Sequence, residues 1–114
     1  MTMVSEAVST LERAGLTRRD RMRLCFRLEA ATLRSAVDLA DALRMGGHNQ
    51  VRVRPAPRRL LTSRRWIVVV TTPPAPVMRA VIELWLDQMH DVVDRHAGCA
   101  IVGVEPIARR VPAL

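Results

Sequence analysis

A chain of 114 residues, 49% of them apolar, is long enough for one domain with a real core and too short for two. That apolar share excludes a disordered chain, and two cysteines are too few for a disulfide scaffold. Eighteen basic residues against eleven acids leave a net charge of +7, which points toward anionic partners.

The N-terminal residues 1–20 read as an appendage, a short helix or disordered segment. Val4, Ala7, Val8 and Leu11 fall at helical spacing, Ser5 can cap and Gly15 can end the turn. No positive n-region followed by an apolar h-region is present, and the longest uninterrupted apolar run, Trp66 to Val70, is too short to span a bilayer. These features, with two cysteines in apolar runs, give the expectation of a cytoplasmic protein without a membrane partner.

Residues 21–28 alternate: Met22, Leu24, Phe26 and Leu28 share one face, and Arg21, Arg23, Cys25 and Arg27 the other, as in a half-buried strand. Residues 31–45 switch to helical spacing, with Leu33, Ala36, Val37, Ala40 and Leu43 on the expected inner face and Gly46-Gly47 as the stop. Val51 and Val53 alternate with Arg52 and Arg54 in a second strand ending at Pro55, a residue suited to a sheet edge. After an Arg-rich connection, Trp66 to Thr71 is a β-branched, apolar third strand. Pro73, Pro74 and Pro76 are expected to open a second helix. It runs to about His96 with Met78, Val81, Ile82, Trp85, Met89, Val92 and Val93 inward. Trp85 and Leu33 are expected to be deeply buried. Residues 99–105 form a last strand closed by Pro106.

This β-α-β-β-α-β order resembles the ferredoxin-like plait over residues 21–106, leaving 107–114 as a C-terminal tail. The resemblance is of element order and not of any family motif. It implies an α+β fold with a four-stranded antiparallel sheet in the order four, one, three, two, and both helices on one face. The other face is then left open, with Arg23, Cys25, Arg27, Arg52 and Arg54 on it. The third strand adds either Trp66, Val68 and Val70 or Ile67, Val69 and Thr71, a choice that alternation alone leaves open. An aliphatic stripe among arginines marks a contact surface, and Arg23, Cys25, Arg27, Val68, Val69 and Val70 are the candidate self-association residues.

Charge is concentrated in one stretch. From Ala42 to Ile82 there are eight Arg and no acid, whereas the rest of the chain holds ten Arg and eleven acids. The chain has no Lys, the composition of a GC-rich coding sequence, so Arg as a residue type says little. The missing acids say more. Arg52, Arg54, Arg58, Arg59, Arg64 and Arg65 form a candidate anion-contacting hairpin, with Trp66 as a stacking group. The competing reading is a solvated, Arg-biased loop.

Other plait families fit less well. RNA-recognition domains stack bases on aromatics of the open face, and no such motif stands here. ACT-type domains and acylphosphatases use a Gly-containing first turn, whereas Glu29-Ala30-Ala31 has no Gly. Dimeric α+β barrels pair two open faces, which the aliphatic stripe suits. His90, Asp94 and Asp87 lie on a polar helix face, where solvated pairs are the expected role rather than a metal site. His48 reads as a loop residue. No nucleophile elbow, P-loop, GxGxxG or CxxC is present. The sequence therefore predicts no catalytic residue, no metal and no cofactor, and an enzyme ranks last. The leading expectation is an oligomeric binding module that contacts an anionic partner, nucleic acid first, through its Arg hairpin. The alternative is a small-molecule-binding or regulatory plait dimer whose arginines rim the interface.

Overall fold

The computed structural model describes residues 3–17, 19–57 and 64–109. The elements run α1 (Met3–Arg13), β1 (Arg21–Ala30), α2 (Leu33–Met45), β2 (Gln50–Pro55), β3 (Trp66–Thr71), β4 (Ala75–Pro76), α3 (Arg79–Asp94) and β5 (Cys99–Arg109). The fold is α+β, with three helices and an antiparallel sheet, and its elements are consistent with a ferredoxin-like arrangement.

β1 is the strand on which the others assemble. Cys25 to Ala30 pair with β3, Arg21 and Met22 pair with β4, and the whole of β1 pairs with β5. A strand has two edges, so β3 and β4 share one and β5 takes the other. β2 pairs with β3, Val51 opposite Val70 and Val53 opposite Val68. Four strands in the order four, one, three, two were expected. The sheet instead has five, running β2-β3-β1-β4 with β5 also on β1.

The extra strand arises at Thr72. Its N–H donates to the Leu24 carbonyl at 2.9 Å, and its Oγ1 accepts the Leu24 N–H at 2.9 Å. This buried side chain keeps the chain on β1 beyond the end of β3. From Cys25↔Thr71 to Met22↔Ala75, three steps on β1 match four on the opposing chain, the mark of one inserted residue. The prolines at 73, 74 and 76 thus accompany a bulge and a short strand and do not open α3. The helix begins at Arg79, after the extended Met78 (φ −145°, ψ 139°).

Pro106 does not close β5, which continues to Arg109. Leu24 spends both backbone groups on Thr72, so they point away from its β5 partner Pro106. Opposite such a pair, the proline nitrogen faces the outer edge, where no ladder bond is lost.

All three helices cover one face. Met22, Leu24, Phe26, Leu28 and Ala30 of β1 are buried there with Val68 and Val70 of β3. Val4, Ala7 and Leu11 of α1 join the same core cluster, so residues 3–13 complete it. α2 contributes Ala36, Leu39, Ala40 and Leu43, an i, i+3, i+4, i+7 stripe. The expected stripe omitted Leu39 and centred too far round the helix. Leu33 is accordingly 47% exposed and Val37 41% exposed. Trp85 is half-buried rather than deep, packed on the core with its ring 5.6 Å from that of His48.

The Thr72 bridge generates a prediction. Thr72→Val keeps the shape but leaves the buried Leu24 N–H without its acceptor, which should cost about 1–3 kcal/mol. Thr72→Ser, which retains the hydroxyl, should lose clearly less in urea denaturation. A Thr72→Val protein as stable as the parent would contradict this role.

Candidate anion-binding face

The alternation that buries one side of β1 turns Arg21, Arg23, Cys25, Arg27 and Glu29 to the other. The register then fixes the surface. Arg27 stands beside Val69, which stands beside Arg52; Glu29 stands beside Ile67, which stands beside Arg54. On the far side of β1, Gly103 faces Arg27, Glu105 faces Cys25 and Ile107 faces Arg23. No described helix or strand lies over this surface. Its centre is aliphatic, the half-buried Val69 beside Ile67, which is only 8% exposed, walled by Arg52 and Arg54 on one side and Arg23 and Arg27 on the other. An open depression of about 320 Å³ follows the β2 side, lined by Arg52, Val53, Arg54 and Val69.

Gly103 shapes the opposite wall. A Cβ there would come within 2.8 Å of Arg27 Nη2 and 3.1 Å of Nε. The Arg27 side chain therefore leans across β5 over Gly103, where a Cβ would push its flexible head aside. β5 also changes face nearby: Cys99 and Ile101 lie opposite Ala30 and Leu28, while Gly103 and Glu105 lie opposite Arg27 and Cys25. The register shift between Arg27 and Leu28 leaves Val102 as the extra residue.

Charge divides between the layers. Within the helices stand eight acids and four Arg; within the strands stand six Arg and two acids. Helix arginines are partnered locally, Arg34 with Asp38, Arg44 with Asp41 and Arg79 with Glu83. On the sheet, Arg65 pairs with Glu29. Among the described residues, Arg21, Arg23, Arg27, Arg52 and Arg54 form no ion pair. Five arginines without an ion pair thus share the open face with one described acid that has none, Glu105.

The hairpin candidates divide. Arg52 and Arg54 are exposed on the open face; Arg64 and Arg65 are exposed just before β3, where the Ala56 N–H donates to the Arg65 carbonyl at 2.9 Å and closes the hairpin base. Arg58 and Arg59 lie outside the described residues. Trp66 must be corrected as a stacking group: it shares the helix-covered side with Val68 and Val70 and packs half-buried against the core. Val68 and Val70 are likewise corrected, since both are fully buried and only Val69 of that trio faces outward. Arg23, Cys25 and Arg27 lie on the open face. Ile67 belonged to the alternative alternation; Gly103 and Ile107 were not placed. A lone Gly within a strand was the available signal for a bulge and close approach at Gly103.

The remaining polar candidates are quiet. Burial pushes the His48 imidazole below its ordinary pKa, and its ring lies against that of Trp85. Burial pushes the Cys99 thiol up, partly opposed by the nearby Arg65 charge. Among the described residues, no three His, Cys, Asp or Glu side chains come together as metal ligands. No described helix is long and apolar enough to cross a membrane. No protein-family model matches the chain, and no curated protein matches it.

The face assignment predicts opposite fates for two neighbouring valines. Val68→Asp buries a carboxylate in the core and should abolish the cooperative thermal transition seen by circular dichroism. Val69→Asp places its carboxylate on the half-buried open face, outside the core, and should keep a cooperative transition at a lowered midpoint. Unfolding by both, or by neither, would show the faces to be misassigned.

Proposed function

We propose that the chain is a ferredoxin-like, non-enzymatic, cytoplasmic binding module that holds nucleic acid on its open sheet face and at the base of the β2–β3 hairpin. The plait reading is supported by β4 lying on the same β1 edge as β3. With β4 taken as the continuation of β3, the remaining order is β5-β1-β3-β2, which is four, one, three, two.

The observation that carries the functional reading is the separation of charge between layers. Acids gather on the helices, while Arg23, Arg27, Arg52 and Arg54 remain without acidic partners on the sheet. Two acids share the face, Glu29 paired with Arg65 and the exposed Glu105 opposite Cys25, and leave it net positive. A net positive face attracts a polyanion, and release of counterions from phosphates supplies the driving force. Arg64 and Arg65 extend the same positive surface to the hairpin base.

A second reading, a regulatory dimer closing two open faces around a small ligand, is favoured by the apolar strip of Ile67 and Val69 and by Ile107, which is 52% exposed. Sheets stacked face to face sit about 10 Å apart, near the Debye length at physiological salt. Two arginine-walled faces at that distance repel, which places this reading second. Self-association through another surface remains compatible with the first.

Changing Arg23, Arg27, Arg52 and Arg54 together to Ser should weaken binding to a fluorescent 24-base-pair duplex more than tenfold at 50 mM salt. Changing Arg13, Arg19, Arg34 and Arg95 to Ser removes the same charge elsewhere and should cost far less. Equal losses would reduce the effect to general attraction. No binding by the parent protein at low salt would eliminate the nucleic-acid reading in favour of the dimer, which light scattering would then show.

A further inference from the structure

Resting on that reading, we propose that the face takes a nucleic-acid double helix, one phosphate row against each arginine wall, and not a single strand stacked on the sheet.

Single-strand binders of the sheet-face type hold bases on aromatic rings, and such stacking supplies about 1–3 kcal/mol per base. This chain has three aromatic residues of the Phe, Trp and Tyr class. Phe26 is fully buried, Trp66 lies on the helix side of β3 and Trp85 belongs to α3. The open face therefore offers bases no ring. Its floor is Ile67 and Val69.

The walls carry the second half of the argument. Arg52 and Arg54 are two residues apart on β2, so their Cα atoms are separated by about 6.6 Å along the strand. Arg27 starts from β1 but leans over Gly103 on β5. Its guanidinium thus stands about three strand spacings, roughly 14 Å, from the β2 line. The Arg27 head and the β2 arginines at that separation match phosphates on either side of a groove, whose width in the B-form major groove is about 12 Å. A single strand has one phosphate row and engages one wall at a time. Contacts to phosphate alone carry no sequence information, so the complex is indifferent to sequence.

The two modes differ in salt dependence. With Arg23, Arg27, Arg52 and Arg54 all on phosphates, log K against log salt for a duplex should fall with a slope of about −3.6; a single strand on two of them gives about −1.4. Fluorescence anisotropy between 50 and 200 mM salt with a 24-base-pair duplex, and with either of its strands alone, reads both values. The expected result is a duplex bound at least tenfold more tightly at 50 mM, with the steeper slope and the same affinity for a scrambled sequence. Gly103→Ala, which displaces the Arg27 head, should weaken duplex binding several-fold and flatten its slope by about 0.9, leaving the single strand unaffected. Equal or tighter binding of the single strand, equal slopes, or a Gly103→Ala protein with the parent's duplex slope would overturn the inference while leaving nucleic-acid binding standing. Binding of neither form would remove the underlying reading itself.

Discussion

The alternation in β1 is the constraint on which the rest of this molecule depends. From Met22 to Ala30, every second side chain is apolar and buried, and every residue between them is Arg, Cys or Glu. Full burial of a Leu, Phe or Met contributes about 1.5–3 kcal/mol, so Met22, Leu24, Phe26 and Leu28 together fix the strand's phase firmly. A one-residue slip would exchange that set for three arginines and is excluded. Because β1 pairs along both edges, its phase passes to β3 and β5, and from β3 to β2. The positive face is thus the obligatory reverse of the core.

The helices give that face its contrast. Their acids lie in the opposite layer, where exposed ion pairs such as Arg34 with Asp38 neutralise charge while adding little stability. Among the described residues, Arg21, Arg23, Arg27, Arg52 and Arg54 of the sheet form no ion pair. Such a separation produces a field that reaches well beyond contact, the property on which the proposed anion binding draws. Gly103 then determines where one of those charges stands, because it lets Arg27 cross β5.

Much of this was legible in the sequence, and the exceptions share a cause. The phase of β1, the stop at Gly46-Gly47 and the short β2 followed directly from period and turn residues. The phase of α2 did not, because Leu33 and Val37 compete with Leu39 for the inner stripe and only the packed sheet decides between them. β4 and the passage of β5 through Pro106 depend on Thr72 bonding to Leu24, a contact across 48 residues that no local pattern carries. The outward phase of β3 was undetermined because both of its faces are apolar. Once Val68 and Val70 enter the core, Trp66 follows them inward and Val69 is left outside. The alternation of β1 and β2 was enough to put Arg23, Arg27, Arg52 and Arg54 on one face, but the bulge's placing of Gly103 beside Arg27 was not legible, because the pairing of β5 with β1 decides it.

The central claim is that the open sheet face, and not the helix layer, is where an anionic partner sits. Amide chemical-shift mapping by NMR during titration with duplex nucleic acid addresses it most directly. The account predicts that the amides of Arg27, Arg52, Val69 and Gly103 shift together and saturably, while those of Asp38, Asp87 and Asp91 on α2 and α3 stay in place. Shifts concentrated on the helices, or spread evenly over the surface without saturation, would contradict it.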